Sequence, residues 1–200
     1  MPPHKSKIGL IILAAGSSSR MNGKLKQLLV FRGKTLLRRA AETAVKSDFD
    51  TVVVVLGANA EKLIDEVIDL PLQIAINKKW QDGMGSSINT GITVISEKNL
   101  DAVIIMVCDQ PLITTKTLRK LEEIFAQSGK PIVACEYEET IGVPALFSSQ
   151  LFDELINLKR LEGAKKIIKK YLENTILVAT PEARIDIDTI EDYEKFKQFS

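Results

Sequence analysis

Residues 8–14 read IGLIILA, and six of these seven are apolar. A strand this uniformly apolar is buried on both faces, as happens at the centre of a parallel sheet. The run stops at Ala15-Gly16. Ser17, Ser18 and Ser19 follow, then Arg20, Lys24 and Lys26, before apolar residues resume. Small residues let backbone N–H groups close around an anionic or planar ligand, and Arg and Lys match phosphate oxygens. The stretch is therefore expected to be a phosphate-binding loop at the carboxyl end of a buried strand. It is not a Walker A loop, because six residues separate Gly16 from Gly23 and Leu25 follows Lys24. The three-glycine dinucleotide pattern is also missing.

The rest of the chain repeats the alternation. Strands are expected over 51–56 (TVVVVL), 72–76, 102–107 (AVIIMV) and 131–135. Apolar residues at helical spacing predict helices over 35–46, 60–68, 86–95 and 114–126, with Ser86 a candidate cap for the third. The final quarter is less regular, with strands over 143–147 and 175–179 and helices over 149–157, 162–171 and 190–199. Strand-helix alternation of this kind implies an α/β fold, a doubly wound and mainly parallel sheet with helices on both faces in three layers. No linker or internal repeat divides the chain, so residues 1–200 are read as one domain, with 1–6 a disordered tail.

Charge and composition exclude several classes. With 27 basic and 26 acidic residues the formal charge is +1, so no dedicated nucleic-acid surface is expected. No apolar run approaches the roughly eighteen residues that cross a bilayer. Residues 4–14 before Ala15-Gly16 could be read as a secretory leader, but an apolar region of about seven residues is at the lower limit for such signals. Cys108 and Cys135 both lie in apolar strand-like runs and suit a reducing, cytoplasmic compartment. His4 is the only histidine and falls in the expected tail, which excludes a zinc site and a core histidine base.

Ligands of an open parallel sheet bind beyond the carboxyl ends of its strands. That rule selects four loops, at 15–26, 57–59, 77–87 and 108–111. Asp109, placed directly after a six-residue apolar strand, is an oxygen ligand suited to Mg²⁺ bridging phosphates; a turn cap is the plainer alternative. Residues 82–87 (DGMGSS) offer a glycine-rich approach and two hydroxyls at a helix start. Asp186 and Asp188 alternate before the last helix and so face one side of an extended segment. One is expected to complete a metal site opposite Asp109 while Asp188 or Thr189 caps the helix.

Leu13, Ala14, Ala15, Gly16, Ser18, Arg20, Met21, Gly23 and Lys26 resemble the nucleotidyltransferase signature L-A-A/G-G-x-S-x-R-M-G-x-x-K, with Asn22 lengthening the loop by one residue and Lys24 a rival for the lysine position. Residues 82–88 (DGMGSSI), 108–111 (CDQP), 142–147 (GVPALF) and 186–189 (DIDT) are similar, in order, to segments of the molybdenum-cofactor cytidylyltransferases. The resemblance spans nearly the whole chain. Ala15, where guanylyl-transferring members carry glycine, favours CTP. At 161–165 (LEGAK) the chain departs from the relatives' Gly-Asp-x-Gly-Ala-Arg.

The resemblance implies transfer of CMP from CTP to the terminal phosphate of molybdopterin or the molybdenum cofactor, with pyrophosphate released. It implies Mg²⁺ on Asp109 with Asp186 or Asp188, the α-phosphate on Lys26, and the outer phosphates on Arg20 and the 16–19 amides. Asp82, Gly83 and Ser87 are expected at cytosine and ribose, the 142–147 segment at the acceptor, and a molybdoenzyme as recipient of the product. A phosphate monoester is largely dianionic at neutral pH, so no histidine is required to generate the nucleophile. Three rivals remain: a guanylyl or sugar or alditol phosphate nucleotidyltransferase, an oxidoreductase acting on heteroaromatic compounds, and a non-catalytic cofactor carrier.

Overall fold

The computed structural model describes residues 6–198; residues 1–5 of the expected 1–6 tail, with His4, and residue 199 of the expected closing helix lie outside them. Nine strands run β1 Ile8–Ala14, β2 Val30–Phe31, β3 Lys34–Thr35, β4 Thr51–Leu56, β5 Gln73–Ile76, β6 Ala102–Val107, β7 Ile132–Tyr137, β8 Thr140–Ser148 and β9 Thr175–Ala179. The helices are α1 Leu36–Lys46, α2 Ala60–Leu63, α3 Met84–Ser96, α4 Thr115–Ser128, α5 Phe152–Ile156, α6 Ala164–Lys170 and α7 Ile190–Lys197. Seven strands form one sheet in the order β5-β4-β1-β6-β8-β7-β9, and β2 pairs with β3 in a small hairpin.

β1 is central and every residue of it is buried. It pairs in parallel with β4 on one side, Gly9 opposite Thr51 to Ala14 opposite Leu56, and with β6 on the other, Ile8 opposite Ala102 to Leu13 opposite Val107. The chain winds outward from β1 to β4 and β5, then crosses back to β6. Strand order therefore reverses between β1 and β6, which is where open α/β sheets hold ligands. The two-residue period of the strands divides the core. Leu10, Ile12, Val54 and Ile104 face α1, α2 and α4, whereas Ile11, Leu13, Val55 and Ile105 face α3, α5 and α6. The three-layer expectation holds on these two apolar faces.

Several boundaries differ from the sequence reading. The 143–147 segment is part of the nine-residue β8, which runs antiparallel to both β6 and β7 and so interrupts the parallel order. The helix expected over 60–68 ends at Leu63 and tightens into a 3₁₀ turn, because Arg38 reaches across to donate to the Glu66 carbonyl at 3.1 Å. α3 begins at Met84 with Gly83 as its cap, so Ser86 lies inside the first turn and is not the cap. The segments 149–157 and 162–171 shrink to α5 and α6.

A third, smaller core ties the chain's ends together. Met21, Leu29, Phe31 and Leu36 from the first loop and hairpin pack with Ile187 and Phe196 from the last segment.

Close packing of α3 on the sheet rests on Gly91, where a Cβ would stand 2.8 Å from Cγ2 of Ile11 and 3.1 Å from Cγ2 of Val55. Gly91→Ala should gain up to about 1 kcal/mol of helix propensity. Overpacking a buried strand costs about 1–3 kcal/mol. The second effect wins, and a urea melt should show a lower midpoint with an unchanged slope.

Candidate functional site

The loop leaving β1 is held open by one buried side chain. Gln27 donates its amide to the Ala14 carbonyl at 3.2 Å and the Gly16 carbonyl at 2.8 Å. Its own oxygen accepts from the Ser18 hydroxyl at 2.9 Å, and the Ser18 oxygen accepts from the Lys26 backbone N–H at 3.0 Å. Gln27 is 1% exposed. The far side turns tightly, with Ser18, Asn22 and Gly23 at φ of 57°, 49° and 82° and the Lys24 N–H donating to the Met21 carbonyl. Asn tolerates the left-handed region better than most residues, which suits the extra Asn22 to its positive φ. Met21 is driven into the small third core.

That geometry separates the two lysines. Lys24 is exposed and lies off the cavity, whereas Lys26 points into it. The Lys26 ammonium donates to Asp109 and, at 3.0 Å, to Asp188. Arg20 donates to the second oxygen of Asp188 at 2.9 Å while remaining 67% exposed. Burial works against the Lys26 charge, but Asp109 and Asp188 more than offset it, and the ammonium is held above its ordinary value. Burial also opposes the Asp188 charge, yet Lys26 and Arg20 outweigh it and lower its pKa.

Asp186 has the opposite balance. Burial first, then the neighbouring Asp188 and Asp109 carboxylates, raise it. Ile187 is fully buried between the two aspartates, and its N–H donates to the Asp109 carbonyl at 3.0 Å, which locks the two segments together. Neither aspartate caps α7. Thr189, one of the two expected caps, does so in a capping box with Asp192, so the aspartate pair does not divide into one ligand and one cap.

Among the described residues no three His, Cys, Asp or Glu side chains are gathered as a preformed metal site; the Lys26 ammonium stands between the carboxylates. The donor set nonetheless suits a hard divalent cation. Oδ1 of Asp109 is buried without a hydrogen-bond partner, and Asp186 adds a carboxylate pressed by two others.

A cavity of about 330 Å³ opens beside this cluster. Leu13, Ala14, Ala15, Gly16, Lys26, Gly83, Ser87 and Asp109 line it, as the sequence suggested. A second recess of about 230 Å³, formed by the 16–20 loop, Lys26 and Asp188, continues from it. Asp82 is not brought in. It faces a neighbouring cleft, 3.7 Å from Arg160. Gly83 and Gly85 answer to packing as well, since a Cβ on either would stand 2.2 or 2.5 Å from the Arg160 or Lys159 carbonyl.

The sequence reading missed Gln27, Trp80, Met84 and Cys108, all at the cavity wall. Trp80 fits because Gly57 has no side chain; a Cβ there would meet Trp80 at 2.6 Å. The aromatic in an otherwise polar loop was the available signal. Cys108 is fully buried, and burial followed by Asp109 pushes its thiol up to about 12, so it is an inert wall.

The sequence profile of the MobA-like NTP transferase domain matches residues 10–175. Among curated proteins, nicotine blue oxidoreductase of Paenarthrobacter nicotinovorans is 37% identical over 111 residues, covering 56% of this chain and 53% of that one. The purine catabolism protein PucB of Bacillus subtilis is 28% identical over 200 residues, covering 94% and 95%. Among solved structures, Rv0371c of Mycobacterium tuberculosis H37Rv superposes with a TM-score of 0.82 at 26% identity over 96% of this chain and 98% of that one. A manganese complex of Rv0371c superposes at 0.79, with 24% identity and 98% and 100% covered.

Gln27→Ala removes the clamps on the Ala14 and Gly16 carbonyls and the acceptor of the Ser18 hydroxyl. It should lower stability by about 2–3 kcal/mol, from stranded carbonyls and a lost buried side chain, and speed hydrogen exchange across the loop. Asp186→Asn tests the carboxylate crowding. An acid raised in the folded state weakens the fold once pH exceeds the ordinary carboxylate range, because below that range both states are protonated. The variant should therefore melt slightly above the native protein near neutral pH, by under about 1 kcal/mol given its exposure, and together with it at about pH 3.

Proposed function

Because the chain belongs to the MobA-like NTP transferase family, we propose that it transfers CMP from CTP to the terminal phosphate of molybdopterin, or of its molybdenum-loaded form, and releases pyrophosphate. One observation carries this reading. The Lys26–Asp109–Asp188 cluster, with Arg20, sits at the point where strand order reverses and shares one cavity with the Ala14, Ala15 and Gly16 backbone. We read the 200 residues as one such domain, working on small molecules in the cytoplasm and passing its product to a molybdoenzyme.

The acceptor is already dianionic, so the chain supplies positions and charge, not a base. Lys26 exchanges a carboxylate for the α-phosphate, and Arg20 with the 16–19 amides takes the outer phosphates. An acceptor phosphate oxygen bonds the α-phosphorus as the bridge to the β-phosphate breaks, and pyrophosphate carries the electron pair away. Asp109, with Asp186 or Asp188, would hold Mg²⁺, which when bound neutralises phosphate charge. The description of an Rv0371c structure as a manganese complex is in keeping with a divalent cation in this reading. Ser87 and Gly83 face the nucleoside, and Ala15 keeps the preference for CTP over GTP. The 142–147 segment faces the acceptor; the Val143 carbonyl accepts from Gln110, directly after Asp109, at 3.2 Å.

A second reading follows from the 37% identity to a protein named an oxidoreductase. It predicts a bound nicotinamide or flavin and indifference to the loss of Asp109.

Pyrophosphate release should be measured with each of the four nucleoside triphosphates, Mg²⁺ and molybdopterin, for the native chain and Asp109→Ala. Release with CTP, reduced about 10²–10³-fold in a variant that still folds, is the expected result. Folded native protein that releases pyrophosphate from none of them overturns the reading and leaves the carrier or oxidoreductase.

A further inference from the structure

The wall of the cavity that Lys26 also lines contains a hydroxyl, that of Ser87, whose hydrogen-bond polarity is set from behind. Asn77 follows β5 and is nearly fully buried. Its backbone N–H donates to the Leu56 carbonyl at 2.8 Å, which fixes the residue to the end of β4. Its side-chain oxygen accepts from the Lys79 N–H at 2.8 Å. An N–H demands an acceptor, so the amide can face only one way: oxygen toward Lys79, nitrogen toward α3. The nitrogen then spends both hydrogens, on the Ser86 hydroxyl at 2.8 Å and the Ser87 hydroxyl at 3.0 Å.

The two serines differ in what remains to them. The Ser86 hydroxyl has carbonyl outlets, at Lys79 and Gly83, 2.9 and 2.8 Å away, and it lines the neighbouring cleft. Ser87 lines the nucleotide cavity and, among the described residues, donates to nothing. A hydroxyl has one hydrogen, and it cannot aim it at an amide nitrogen whose own hydrogens point toward it. The Ser87 hydrogen is left for the cavity.

We propose that Asn77 is a positioning residue that holds the Ser87 hydroxyl as a donor into the cavity, so that the site selects a nucleobase edge presenting an acceptor, cytosine over uracil. The inference rests on the cavity being the nucleotide site. Ring position 3 of cytosine carries a lone pair, whereas that of uracil carries an N–H. Donor facing donor leaves both unpaired out of water, and sites built to hydrogen-bond reject such mismatches far better than they reject changes of size.

Asn77→Asp keeps shape and inverts polarity. A carboxylate still accepts from Lys79, but both serine hydroxyls would donate to it, and Ser87 would offer the cavity only lone pairs. The kcat and KM for CTP and UTP should be compared in the native chain and this variant. The preference for CTP over UTP should fall by about tenfold or more, through KM, with kcat for CTP within about twofold because Lys26 and Asp109 are untouched. A purely structural role would not change the ratio. Should the variant fail to fold, 3-deazacytidine triphosphate, which lacks the position-3 lone pair, replaces it. The native chain should bind this analogue about tenfold more weakly than CTP, and Ser87→Ala should bind the two alike. An unchanged ratio in folded Asn77→Asp, or equal affinity of the native chain for CTP and the analogue, overturns the inference while leaving the proposed function standing. A native chain that binds no nucleotide overturns both.

Discussion

The parallel pairing of β1 with β4 and β6 is the constraint on which the molecule depends. It places the carboxyl ends of β1 and β6 side by side, so the chain must leave the sheet there twice in neighbouring loops. One exit carries the small residues and cations of the 15–26 loop, the other carries Asp109. Their charges meet because the strands do. A register shift of one residue would send the inward side chains of β1 to the other face and break both apolar layers together. The position of the Lys26–Asp109 pair is thus fixed by the hydrophobic alternation of the strands beneath it.

The charge arithmetic at that edge is close to self-contained. Two cations, Arg20 and Lys26, face Asp109, Asp186 and Asp188, and only Asp186 lacks a cation in direct contact. Buried ions need partners because the protein interior solvates them poorly. The ammonium of Lys26 serves that need for Asp109 and Asp188 together. In the proposed reaction the same side chain would change partners to meet a phosphate, so order in the fold and readiness for an anion would share one group.

Much of this was legible in the sequence, and the reasons are physical. Asp109 could be found because it follows an apolar run, and such a run has only one place to end in a parallel sheet, whereas Lys26 was singled out through the loop signature that residues 13–26 resemble. Asp186 and Asp188 could be paired because an extended segment has a period of two. Asp82 was misjudged because a glycine-rich loop reads the same whether its glycines make room for a ligand or for a backbone; here they make room for 159–160. The cap of α3 was missed for a related reason, since Gly83 caps through its backbone and leaves no side-chain signature. Gln27 was invisible because its amide donates to two main-chain carbonyls, which every residue has. The antiparallel entry of β8 depends on a two-residue connection whose direction the apolar pattern does not encode.

The small core of Met21, Phe31, Ile187 and Phe196 joins stretches of chain that are made at opposite times. A polypeptide emerging from the ribosome can complete β1, its loop and β6 long before residue 186 exists. Until the last segment arrives, Met21 lacks the cover of Ile187 and Phe196, and Lys26 faces Asp109 without Asp188. The charged cluster is thus finished by the final stitches of synthesis, and a partly made chain would hold the sheet with Lys26 still lacking Asp188.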